Sequence, residues 1–128
     1  MKKLTMLLSI LISFSSYGEW EKITTSIVGD VHYIDKSTIK ERNGYVYFWI
    51  LNEYAEPIKL NKFHAKSSKI YKQTDCEITR YNVLSMLVYN QSMGAGDRKD
   101  LGKVDEWQHP EPNNTAATLL NYACNYVD

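Results

Sequence analysis

Two cysteines, three histidines and a run of lysines are the residues of this 128-residue chain that could do chemistry. Cys76 lies in KQTDCEITRY and Cys124 in NYACNY. A nucleophilic cysteine needs a histidine beside it and a third group to orient that histidine. His32, His64 and His109 are scattered, and none carries a local signature of that kind. Zinc requires Cys and His ligands at short spacings, which the chain lacks, and no acidic loop has the pattern of a calcium site. MGAGD, Met93 to Asp97, lacks the longer glycine pattern and the Lys-Ser/Thr ending of a phosphate loop, so it reads as a turn. Asp105 and Glu106 are adjacent and point apart in an extended chain, while Glu53, Glu56 and Asp75 form no pair that sequence can identify. No serine stands in a nucleophile elbow. No cofactor and no metal is expected, and an enzyme is the least supported reading because no acid–base constellation emerges.

The lysines carry the strongest local charge signal. Lys59, Lys62, Lys66, Lys69 and Lys72 place five positive charges in fourteen residues with no acid between them. One reading is a solvated strand edge, which sheets protect with lysine. The other is a docking surface for an acidic partner or an anionic polymer. These five lysines, with Arg80 further along the same sheet, form the candidate protein-binding set.

The N-terminus sets the compartment. Lys2 and Lys3 precede a short apolar run, Leu4 to Phe14, and then Ser15, Ser16 and Gly18. This is the three-part order of a secretory signal, with cleavage expected before Glu19. The apolar run is shorter than the roughly 20 residues a membrane span needs, so no stable membrane insertion is expected after cleavage. No cysteine lies near the cleavage region, so no lipid anchor is expected, and the mature protein would be periplasmic, at the cell surface or secreted. Beyond the signal at residues 1–18, residues 19–128 are long enough for one domain. The 15 basic and 15 acidic residues balance in the whole chain, and losing Lys2 and Lys3 leaves 13 against 15. That near-neutral balance argues against nucleic acid as a partner.

Stepping along the chain, most segments read as strand. EWEKITTSIV is β-prone, and Gly29-Asp30 turns it into VHYID as a hairpin. KSTIKERNG connects onward and ends on Asn43-Gly44, a strong turn signal. YVYFWILNEY, Tyr45 to Tyr54, is apolar on both faces, as expected of a central strand covered on one side by a helix, with Pro57 ending it. The basic stretch follows, then an extended region from Lys69 to Tyr89, as two strands or one long strand bulged near Cys76. QSMGAGDRKDLGK reads as a loop, and WQHPEP as irregular because of Pro110 and Pro112. From Asn113 onward, Ala116, Leu119, Leu120, Ala123, Cys124 and Val127 fall near one face of a 3.6-residue period, with Asn113 or Asn114 as cap. The fold class is therefore α+β: a single domain with a mainly antiparallel sheet and one C-terminal helix packed on it. That interface brings Cys76 and Cys124 together, and export permits a disulfide between them. Buried thiols, or a catalytic or metal role, are the alternatives.

The ordered series VHYID with STI, YVYFWILNEY, SSKIYKQTDCEITRY, SMGAGD, WQHPEP and LLNYAC resembles the surface-adhesin protein E-like family of bacterial exported proteins. The resemblance spans nearly the whole mature chain. It implies a mainly antiparallel sheet with one C-terminal helix and bridged cysteines. It also implies a non-enzymatic binding protein, since the family takes its name from an adhesin for host extracellular-matrix proteins. The partner expected is thus a protein, from the host matrix or the bacterial envelope, and an edge strand offers a route to a homodimer. A periplasmic envelope or stress protein that holds a small ligand between helix and sheet is the rival reading.

Overall fold

A computed structural model describes residues 19–127. The signal segment expected at residues 1–18 lies outside the described residues. The strands are β1 (Trp20–Thr25), β2 (Val31–Asp35), β3 (Lys40–Arg42), β4 (Tyr45–Leu60), β5 (Phe63–Asp75), β6 (Arg80–Tyr89) and β7 (Arg98–Gln108), followed by α1 (Thr115–Tyr126). They form one seven-stranded sheet in the order β1-β2-β4-β5-β6-β7, with β3 also paired to β4. Every pairing is antiparallel. Thus the expected antiparallel sheet with one C-terminal helix is what the chain forms.

Strand register decides which side chains meet. Residues opposite one another on paired strands project from the same face. Ile34, Ile50, Ile70 and Met86 are successive partners across β2, β4, β5 and β6. This row faces the helix. Ile34, Ile39, Val46, Phe48 and Ile50 close a core with Leu119 and Ala123 of α1. Phe48, Ile34 and Ile50 are at most 1% exposed, and each such side chain contributes roughly 1.5–3 kcal/mol by leaving water. Helix α1 begins where Asn114 Oδ1 accepts from Ala117 N at 2.9 Å. Its buried residues are Ala117, Leu119, Leu120 and Ala123, so Ala117 rather than Ala116 completes the stripe.

Several elements differ from the sequence expectation. The chain does not remain extended through Cys76: β5 ends at Asp75, and residues 76–79 turn into β6. Thr79 takes φ 53° in that turn. Cys76 is thus a turn residue, and its bond to Cys124, 48 residues on, ties the β5–β6 turn to the last part of the helix. Strand β4 runs through Pro57 to Leu60. Pro57 lies where the β4–β5 register breaks between Glu53 and Ile58, so its missing N–H removes no ladder bond. Part of the glycine-containing loop and of the tryptophan–proline segment is β7, an exposed and bulged edge strand with Gly102 at φ 81°.

Candidate functional site

The face of the sheet opposite α1 carries an aromatic and cationic surface. Trp49 pairs with Tyr71, and Tyr47 with Gln73, so these rings share that face. Trp49 and Tyr71 stack with centroids 4.9 Å apart, and Tyr47 continues the row 6.1 Å from Tyr71. Gln73 Nε2 donates to the Tyr47 hydroxyl at 3.1 Å, and the Arg42 guanidinium lies 4.0 Å from the Tyr47 ring centre. Further along, Tyr45 and Trp107 are 5.6 Å apart, with Arg80 stacked 4.2 Å over Trp107.

At the other end of the row the surface deepens into a cleft of about 300 Å³, lined by Trp20, Asp35, Thr38, Trp49, Lys69, Leu87, Tyr89 and Arg98. The register places them together: Lys69 pairs with Leu87, Tyr89 with Arg98, and Trp20 with Asp35. Lys69 Nζ lies 5.8 Å from the Trp20 ring centre and 5.4 Å from that of Tyr89. The short 3-10 turn Ser92–Gly94 folds over this side of the sheet, where Gly94 N donates to Ser67 Oγ and Met93 N to Glu53 Oε1, both at 2.8 Å. Gly94 takes φ 73°, which favours glycine, and a Cβ there would come within 2.6 Å of Lys69 Cε and push the end of that side chain aside. The Asp35 carboxylate is oriented by Ser37, whose N and Oγ both donate to Oδ1.

The lysines expected as one surface divide among three settings. Lys59, Lys62 and Lys66 are exposed. They lie on or beside an arm in which Ile58–Leu60 of β4 and Phe63–Ala65 of β5 pair only with one another. Lys69 enters the cleft on the open face. Lys72 projects to the helix side opposite Phe48, is only 7% exposed, and places Nζ 3.9 Å from the Tyr81 ring centre. Burial pushes its ammonium down to about 8. Lys72 is therefore away from the exposed arm. Arg80 is bound to Asp75 at 3.2 Å and stacked on Trp107, also apart from the arm. Because β5 is an interior strand, edge protection accounts for none of Lys69 or Lys72.

A polar chain runs on the helix side: His32 Nδ1 to Asn52 Oδ1 at 2.6 Å, Asn52 Nδ2 to Ser68 Oγ at 3.1 Å, and Tyr54 hydroxyl to Ser68 Oγ at 2.7 Å. Ser68 is fully buried, so this chain satisfies buried polar groups and exposes no nucleophile. Burial raises the Tyr54 hydroxyl above the usual tyrosine range. Among the described residues no group of three His, Cys, Asp or Glu is placed to hold a metal ion, and no helix is long and apolar enough to cross a membrane.

Residues 20–125 match the family described as surface-adhesin protein E. The chain belongs to that family. Its fold is similar to solved structures of Haemophilus influenzae protein E. Crystal form II of that protein superposes with a TM-score of 0.66 at 20% identity, covering 94% of this chain and 98% of that one. A second structure of Haemophilus influenzae protein E gives 0.66 at 19% identity over 93% and 92%. Protein E from non-typeable Haemophilus influenzae gives 0.58 at 19% identity over 94% and 84%. At these identities the likeness establishes the fold. No curated protein sequence matches the chain. The open-face cleft was not foreseen from sequence: Trp20, Trp49, Lys69, Tyr89 and Arg98 come from five segments, and only the register assembles them.

Proposed function

We propose that this protein is an exported, non-enzymatic binding module of the bacterial periplasm or cell surface, without a lipid anchor, that docks on a host extracellular-matrix protein. Family membership over residues 20–125 supports the binding role. The observation that carries the choice of surface is the β4–β5 arm. Lys59, Lys62 and Lys66 are exposed on it, and none forms an ion pair with a carboxylate of the described residues. Ile27, Val28 and Ile58 are exposed at the same end of the sheet, at 103%, 69% and 42%. Cations with aliphatic side chains among them suit a protein surface better than a purely anionic polymer, which rewards charge alone.

The test is binding of the mature protein to immobilised matrix proteins at low and physiological salt. Reversing charge in Lys59→Glu, Lys62→Glu and Lys66→Glu together should weaken binding at least about tenfold and remove its salt dependence. Unchanged affinity would exclude the arm, and capture of a periplasmic protein instead would favour an envelope partner. A second reading, small-ligand binding, is favoured by the cleft, which lies on the face opposite the helix and not between helix and sheet as the sequence suggested.

A further inference from the structure

We infer that the open-face cleft is a binding site for an acidic sugar, a pyranose ring bearing a carboxylate, as one unit of a glycan. The cleft combines three kinds of group that such a sugar needs. Trp20 and Trp49 line the cleft, Trp49 with one face stacked on Tyr71, and aromatic π surface attracts the polarised C–H bonds of a sugar ring. Lys69 and Arg98 supply positive charge, and among the described residues neither has a carboxylate within salt-bridge distance. Asp35 supplies an acceptor: both of its bonds from Ser37 fall on Oδ1, which leaves Oδ2 to receive a ligand hydroxyl.

The combination is selective. A half-buried ammonium between two aromatic rings attracts an anion more strongly than a fully solvated one, because less water screens it. An anion with no hydroxyl, such as sulfate or chloride, would meet the Asp35 charge with nothing to offer it. An acidic sugar presents its carboxylate to Lys69 and Arg98 and a hydroxyl to Asp35, with its ring on the tryptophans. A cleft of about 300 Å³ is at the small end of ligand pockets, the size for a single sugar unit. The Ser92–Gly94 turn packs beside the Lys69 side chain, with Gly94 at a φ of 73° that favours glycine.

The probes are a hyaluronan tetrasaccharide and 3′-sialyllactose, with lactose as the neutral control. The measurements are calorimetric titration and tryptophan fluorescence of the mature protein. At least one acidic probe should bind about tenfold or more tightly than lactose, and Lys69→Met should remove about that factor, as expected of one charge-assisted contact. Lys69→Arg should restore part of it. The arm variant with Lys59, Lys62 and Lys66 reversed should bind the probes as the parent does, so failure of the docking reading and failure of this one are distinguishable. Thermal unfolding of each variant checks that the fold is intact, and Arg98→Gln, at an exposed position, gives a second probe of charge with little structural risk. Equal binding of lactose, binding of no probe, or acidic-sugar affinity unchanged in both Lys69→Met and Arg98→Gln would overturn the inference.

Discussion

Lys72 carries a positive charge into the part of the molecule least suited to hold it. Its ordinary value of 10.5 falls to about 8 on burial, while the unfolded chain keeps the ordinary value. Between about pH 8 and 10.5 the unfolded chain therefore binds more protons than the folded one, so stability rises with pH across that window. Above the usual tyrosine range the sign reverses, because burial raises Tyr54 and Tyr81 and their ionisation then favours unfolding. Lys72→Met keeps the stem and removes the charge. It should stabilise the protein at neutral pH by about 1–3 kcal/mol, after subtracting the lost attraction to Tyr81, and should flatten the alkaline rise. Urea unfolding from pH 6 to 10 checks both; a destabilised variant with the rise intact would refute the account. The division of the lysines was partly legible. On a strand the side-chain period is two, so a spacing of three sends Lys66, Lys69 and Lys72 to alternating faces. Composition showed a basic run, and only the strand assignment of the whole run separates its members.

The elements that burial holds in place were the readable ones. Asn43-Gly44 forms the turn its residues suit, with φ of 53° and 86°. The alternation of Tyr45–Leu51 places Val46, Phe48 and Ile50 under the helix, and Asn114 caps that helix. Strand β7 was not legible, because RKDLGKVDEWQ is almost wholly exposed and shows no apolar alternation. Backbone pairing to β6 holds it, and a sequence pattern records burial, not pairing. The β5–β6 turn was missed for a related reason: its one signal is Asp75, whose Oδ1 accepts from Glu77 N at 3.1 Å, while Thr79 adopts a left-handed conformation that β-branched residues rarely take. The disulfide anchors that turn. Closing a loop of 48 residues, it should contribute on the order of 4 kcal/mol by restricting the unfolded chain. Replacing both cysteines by alanine, or reducing the bridge, should lower the urea midpoint accordingly; a stability loss of less than about 1 kcal/mol, taken as the midpoint shift times the slope m, would mean the helix docks without it.

At the scale of the whole molecule, the sheet gives its two faces different tasks. One face buries the core under α1, and the other keeps rings and cations at the surface. Family membership fixes the fold that residues 20–125 adopt; which side chains share a face depends on the register, which no short motif reports. The position of the β4–β5 hairpin has a mechanical consequence. Its tip is the arm, and its strands are interior, with β2 and β3 beside β4 and β6 beside β5. Antiparallel hydrogen bonds run across the strands, so tension applied along the arm loads many of them in shear at once. Tension on β7 would peel an edge, one bond after another. Single-molecule pulling through residue 62 should therefore require a higher rupture force than pulling through residue 102, and equal forces would contradict this. Load applied to the arm would therefore strain the part of the sheet that yields last.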